Sequence, residues 1–310
     1  MSASPIRQAD GAGAFRFLLT HRRRAQGYRE WLEPESVGLP MLWIPPGRFW
    51  MGSPDTEPDR EASEGPQHLV QLQGFFLGQT PITQAQWRAV AQWSEREGER
   101  WGLELDPDPS FFQLESKKRR FFMPTSKFVL LEGEETSDQR PVDSVNWQEA
   151  MEFCHRLSQR TGRVYTLPSE AQWEYACRAG TTTPFHFGST LSTALANYDG
   201  THRYADGVKG VDRRQTTPVG LFPANAWGLK DMHGNVWEWC LDHWHDTYEG
   251  APEDGRAWLD EKDPEDAMRL LRGGSWFDGP QVCRSAHRLR DLPDFAYGLR
   301  GFRVCCLPQD

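Results

Sequence analysis

Two constellations in this 310-residue chain carry residue types suited to chemistry, six scattered cysteines and a His-Trp-His run between carboxylates. Cys154, Cys177, Cys240, Cys283, Cys305 and Cys306 are too sparse for a disulfide scaffold, and they lack the paired CxxC spacing of structural zinc. Adjacent Cys305 and Cys306 read as buried strand residues. His243 and His245 flank Trp244, with Asp242 and Asp246 outside them. Their i, i+2 spacing sets both imidazoles on one side of a strand. A metal would need a third ligand that the sequence does not identify, so surface polar residues around a packed Trp244 are expected. No Gly-Xaa-Ser-Xaa-Gly elbow, Walker loop or HExxH run occurs, which removes the usual hydrolase and nucleotide-binding signals.

A different kind of chemistry is written into the C-terminal segment. Leu271-Arg272-Gly273-Gly274-Ser275-Trp276, Cys283-Arg284-Ser285-Ala286 and Gly301-Phe302-Arg303 read as fixed anchors. Between them stand Phe277, Asp278, Gly279, Val282, His287, Leu289, Asp291, Leu292, Phe295, Ala296, Tyr297, Gly298 and Leu299. These follow neither the 3.6-residue period of a helix nor the alternation of a strand. Mixed aromatic, acidic and aliphatic residues on a framework read as a displayed binding surface. Phe277, Phe295 and Tyr297 would serve as aromatic anchors, and Asp278, His287 and Asp291 as polar specificity. Trp276, Cys283, Ala286 and Phe302 would hold the scaffold, with Arg272, Arg284 and Arg303 bound to backbone.

Several elements must position such a surface. Thr83 with Gln86, Asn146 with Glu149 and Ser169 with Gln172 each form a capping-box start. The second helix carries Ala150, Phe153, Cys154 and Leu157 at i, i+3, i+4 and i+7, and Gly162 suits its end; Gly180 suits the end of the third. Met41–Ile44 and Gly47–Gly52 read as strands joined by a Pro-Pro-Gly turn, and 68–72 with 74–78 as another hairpin. Residues 1–40, with the run His21-Arg22-Arg23-Arg24, read as an extension or terminal helix with a solvated face. Residues 41–310 form the domain, interrupted by a charged, proline-broken insertion at about 94–139 and carrying the irregular region at about 276–300.

With 44 acidic against 35 basic residues the formal charge is −9, which argues against a broad nucleic-acid or anionic-membrane footprint. No apolar run approaches a bilayer span, and residues 1–20 lack a signal-like apolar region, so a cytoplasmic location is expected.

Six ordered blocks carry a resemblance. They are Gly47–Ser53, Arg140-Pro141-Val142 with Val145-Asn146-Trp147, Leu167–Glu174, Gly228–Trp239, Arg272–Trp276 and Gly301-Phe302-Arg303. Together, over about residues 40–306, they are similar to the formylglycine-generating enzyme family, also called sulfatase-modifying factors. The resemblance implies an α+β, C-type-lectin-like fold with short elements around a small twisted sheet. It also implies structural calcium, held by Asp231 and Glu238 side chains with Gly234 and Val236 carbonyls, and a second site beginning at Asn197-Tyr198 with Asp206 or Asp212 as its acidic partner. Family catalysts oxidise a substrate cysteine with copper on two cysteines just after the Gly-Gly-Ser block. Here the first such position is Asp278, and the second has no counterpart before Cys283. A carboxylate and a lone thiol make a poor Cu(I) site, so neither copper nor catalysis is expected. A sulfoxide-forming branch takes iron on histidines of an added helical domain, for which the forty-residue extension with His21 alone is too short.

A scaffold kept without the cysteines also resembles the variable protein of a diversity-generating retroelement, a class that uses this fold and mutates adenines near the C-terminus. Random replacement of both adenines in an AAY codon never yields Lys, Glu, Gln, Met or Trp. All thirteen irregular residues fall in the reachable set, and Gln281 does not. The expectation is a non-catalytic protein binding a macromolecule, a protein above all, through a diversified surface. A formylglycine-generating oxidase and a structural or adaptor domain are the alternatives.

Overall fold

A computed structural model describes residues 25–33, 35–113, 129–260 and 267–308. The polybasic run at 22–24 and the middle of the insertion, 114–128, lie outside the described residues. Among the described residues eleven strands, β1 (Gly27–Glu33), β2 (Val37–Ile44), β3 (Gly47–Met51), β4 (His68–Leu72), β5 (Phe75–Gly78), β6 (Tyr165–Thr166), β7 (Trp237–His243), β8 (Arg269–Arg272), β9 (Leu289–Asp291), β10 (Arg300–Gly301) and β11 (Cys305–Cys306), combine with three α-helices. The mixed α+β class expected from the sequence is observed.

Each helix begins where its capping box places it. In α1 (Gln84–Ala91), α2 (Trp147–Thr161) and α3 (Glu170–Arg178) the Thr83, Asn146 and Ser169 side chains accept from the N3 amide, and Gln86, Glu149 and Gln172 close the box. Two otherwise orphaned amides are satisfied at each start. Gly162 ends α2 at φ 71°, in the left-handed region. α3 departs from expectation, because Ala179 itself takes the left-handed cap at φ 46° and Gly180 follows. The α2 stripe of Ala150, Phe153, Cys154 and Leu157 is buried, and Phe153 stacks on Trp87 of α1 with Phe302 edge-on to both.

The strands exist, but the expected hairpins do not. β2 lies in a five-stranded sheet ordered β1-β2-β5-β11-β6, while β3 pairs antiparallel with β4 in a separate two-stranded ribbon. Tyr28 to Trp31, assigned to the extension by composition, form an edge strand against β2. Local alternation marks a strand, but its partner is chosen by which face finds a core.

The last strand, β11, inserts between β5 and β6, with Cys305 opposite both Leu77 and Thr166. A four-stranded sheet, β10-β7-β8-β9, carries the other end of the C-terminal segment. Residues 273–299 are therefore tied down by β8 before and β10 after, with β9 pinned to β8 midway. All six cysteines are free and buried, as strand or core residues.

The described parts of the insertion cover the core. Asp143 accepts from the Phe111 and Phe112 amides, and Phe112 packs edge-on against Trp276 at 5.0 Å. Among the described residues no helix is long and apolar enough to cross a membrane.

Candidate functional site

Beneath the C-terminal segment lies a layer of buried guanidinium–carboxylate pairs. Arg272 meets Glu174 at 2.5 Å and Glu170 at 3.1 Å; Arg288 meets Glu170 at 2.7 Å. Arg284 joins Glu57 at 2.7 Å and Glu64 at 2.6 Å. Arg303 grips both oxygens of Glu238, at 2.5 and 2.7 Å. Arg272, Arg284 and Arg303 bind backbone as expected, and they bind carboxylates as well. Arg272 reaches the Ser285 and His287 carbonyls, and carboxylates neutralise all three guanidiniums, because a charge removed from water needs a counter-charge. Burial alone would raise the Glu64 carboxyl, yet contacts with His287 and Arg284 hold it well below the usual range.

On this base the irregular residues divide into three sets. Phe277, Leu292, Phe295, Ala296 and Tyr297 are exposed, Phe277 at 56% and Phe295 at 46%. Phe295 stacks on Tyr297 at 6.4 Å, with the Arg300 guanidinium 4.7 Å over the Phe295 ring. Trp276 links the two ends of this rim, contacting Phe277 at 5.5 Å and donating its indole N–H to the Gly298 carbonyl. Gly279, Val282, Leu289, Asp291, Gly298 and Leu299 are half-buried. Val282, Leu289 and Leu299 pack on the core, and Asp291 pairs with Arg300.

Asp278, half-buried, and His287, buried, bond inward, so the displayed surface expected of all thirteen reduces to the five exposed residues. Asp278 Oδ2 accepts from Ser275 Oγ at 2.5 Å, from the Ser275 amide at 3.1 Å and from the Trp237 indole at 2.8 Å. Burial raises its carboxyl, opposed by these donors. His287 is 5% exposed, 3.7 Å from Glu64 and 5.8 Å from the Trp237 ring. Cys283, the chain's remaining thiol near the family's copper position, is fully buried, and burial pushes it well above the ordinary thiol range. A protonated thiol sealed among apolar atoms is a poor soft ligand.

The expected calcium residues lie together but are differently engaged. Asn235 N–H donates to the Asn197 carbonyl, and the Asn197 amide reaches Asn235 Oδ1, so the two segments touch. Asp231 Oδ2 accepts from Gly220 N–H, while Asp231 Oδ1 and Asn197 Oδ1 are buried without a donor. Burial lifts the Asp231 carboxyl to about 6. These orphaned oxygens suit a hard cation. Glu238 does not offer one, since Arg303 and the Trp173 indole hold both its oxygens. Gly234 O accepts from Val236 N–H, Tyr198 OH donates to the Leu191 carbonyl, and Asp212 holds Arg214. Among the described residues no group of three or more His, Cys, Asp or Glu side chains is placed to hold a metal.

His243 and His245 do share a side, as their spacing implies, and both meet Asp260, at 3.2 and 3.1 Å. His243 is buried at 1% exposure, which corrects its placement on the surface; His245 stacks on Trp258 at 3.6 Å. Sequence reading missed Ser275 and Trp237 as clamps for Asp278, Glu64 beside His287, and Phe111 and Phe112 under Trp276. Ser275 and Trp237 stood in the matched blocks, but nothing local tied them to position 278.

Residues 32–306 match the family described as sulfatase-modifying factor enzyme 1-like domain. The chain is 30% identical over 283 residues to the serine/threonine-protein kinase Pkn1 of Chlamydia caviae, covering 91% of this chain but only 40% of that protein. It is 28% identical to the formylglycine-generating enzyme of Thermomonospora curvata, covering 89% of this chain and 96% of that one. Among solved structures, PvdO from Pseudomonas aeruginosa superposes with a TM-score of 0.70 at 31% identity, over 93% of this chain and all of that one. Treponema denticola variable protein 1 superposes at 0.65 with 23% identity, over 93% of this chain and all of that one, which speaks for the fold alone.

Proposed function

The chain belongs to the sulfatase-modifying factor family, and within it we propose a non-catalytic protein that binds a macromolecular partner, a protein, through the exposed rim of its C-terminal segment. One observation carries this reading. Phe277, Leu292, Phe295, Ala296 and Tyr297 stand exposed on a base in which the neighbouring arginines are buried and ion-paired. Exposed aromatics on so rigid a support are the usual anchors of a binding surface. The position where family catalysts carry the first copper cysteine is here Asp278, clamped by Ser275 and Trp237, which supports a scaffold used for recognition.

The finer part of the proposal is that a retroelement diversifies this rim. The burial pattern supports confining diversification to the five exposed positions, since a random residue at 278 or 287 would enter the clamped interior. The test is a displayed library of the full chain randomised at 277, 292, 295, 296 and 297. We expect melting temperatures close to the parent across the library, together with selectable binders. Widespread unfolding would sink the reading. Sequencing beside the gene's 3′ end for a near-identical copy carrying AAY at the rim codons tests the diversification itself.

Calcium remains part of the proposal at two sites, one on Asp231 Oδ1 with the Gly234 and Val236 carbonyls and a second beginning at Asn197-Tyr198 on Asn197 Oδ1. Glu238 would join only by releasing Arg303. Bound calcium would brace the segment that leads into β7 and Trp237. A calcium-dependent rise in melting temperature, lost on Asp231→Ala, is the expected result; no rise at millimolar calcium would remove it. The competing oxidase reading predicts a formylglycine product from a cysteine-containing peptide with copper and oxygen, and mass spectrometry should find none.

A further inference from the structure

Glu57, Glu64, Glu170, Glu174 and Glu238 are buried, and each faces a guanidinium. Asp278 differs. Its Oδ2 is held by three neutral donors, and among the described residues it has no ion-pair partner within 4 Å. Its Oδ1 takes no hydrogen bond from the described residues, and it is not among the polar atoms sealed from solvent. Asp231 has an unpartnered oxygen too, but that one is sealed. Asp278 is half-buried, and a carboxylate with one oxygen fixed and the other open is a preorganised acceptor for a cation.

The surroundings favour a positive visitor. Asp199 donates its amide to the Asp278 carbonyl, while its own carboxylate accepts from Thr201 and faces His202. Asp294 is exposed on the rim loop, and the chain carries −9 overall. Neither Arg300, which meets Asp291 through Nη2 and lies over the Phe295 and Tyr297 rings, nor His287, 3.7 Å from Glu64, forms an ion pair with Asp278. Phe277, next to Asp278 and 56% exposed, offers an apolar wall on which an alkyl stem can lie.

We infer that Asp278 Oδ1 is the receptor for one ammonium or guanidinium group, carried by a lysine or arginine of the protein partner that docks on the rim. The inference rests on the rim-binding reading and sharpens it, since the partner's contact segment must be basic as well as apolar. Aromatic rim residues would supply affinity, and Asp278 would reject partners lacking the charge, because an uncharged group leaves the carboxylate without compensation.

The test uses the full ¹⁵N-labelled chain and the probes n-butylammonium and methylguanidinium, with n-butanol as the uncharged control. The Trp237 indole N–H, hydrogen-bonded to Asp278, is the reporter, assigned through Trp237→Phe. Both cations should shift this resonance saturably while n-butanol does not, and Asp278→Asn should abolish the shift. No shift with either cation, an equal shift with n-butanol, or an undiminished shift in a folded Asp278→Asn variant overturns the inference. Should that variant fail to fold, the cation-against-butanol comparison on the parent chain decides. Rim-library binders obtained while Trp237 ignores both cations would leave rim binding standing and remove the cation receptor alone. A cation response with no binders would do the opposite.

Discussion

Glu238 and Asp278 begin alike. Each is a carboxylate that accepts an indole N–H at 2.8 Å, Glu238 from Trp173 and Asp278 from Trp237, the residue just before Glu238 on β7. They then diverge. Glu238 is closed by Arg303 on both oxygens, and its energetic role is internal. Asp278 receives only Ser275 besides the indole and keeps an oxygen open. What distinguishes a framework carboxylate from a recognition carboxylate here is whether the fold supplies the counter-charge or leaves it to a visitor.

The largest test of that comparison removes the internal counter-charge. Arg303→Met should cost about 3–5 kcal/mol in urea unfolding, because it strands Glu238 in the core. A loss well under this would mean that the pair is solvated and the contrast false. Next comes another buried carboxylate, Asp242, whose partners are the Glu170 and Trp258 amides. Burial, and then the neighbouring charge of Glu170, lift its carboxyl to about 7. Its folded value lies above the unfolded one, near 3.9, so the native state binds the extra proton and this residue's contribution declines as pH rises from about 4 to 7, then levels off. Urea midpoints of the parent and Asp242→Asn should converge or diverge across that window alone; a constant difference would contradict the burial.

Smaller effects calibrate the scale. Asn146→Ala removes one side of the α2 capping box and should cost about 1 kcal/mol. Asp278→Asn should change stability by no more than about 1 kcal/mol, since Oδ of the amide can keep the Trp237 and Ser275 bonds while the desolvated charge is lost. Phe277→Ala and Tyr297→Ala should fall within about 0.5 kcal/mol of the parent, as exposed substitutions do, while abolishing partner binding. A rim variant that unfolds the chain would move the aromatics from the recognition side to the framework side.

Helix starts were readable because a capping box is a bond network four residues long, and Thr83, Asn146 and Ser169 carry theirs within it. Strand pairing was not. β3 and β5 each look ready to close a hairpin with the preceding strand, yet β5 lies between β2 and β11, more than two hundred residues apart in sequence. The candidate site was half legible. Aromatic content and broken periodicity marked the segment 277–299, but they could not separate exposed Phe295 from buried His287, because Glu64, Trp237 and Ser275 arrive from distant elements.

Residue types and spacing by themselves determined the family blocks, the starts of three helices, the core placement of Cys154, Cys283, Cys305 and Cys306 and the place of the irregular segment. Those properties reside in local bonding and in side-chain chemistry, which the chain carries wherever it folds. Tertiary structure alone decided which of the four arginines meets which glutamate, that Asp278 is clamped at one oxygen and open at the other, and that five of the thirteen irregular residues face solvent. Counter-charge and exposure are relations between segments far apart in sequence, and they come into being only when the core brings those segments together.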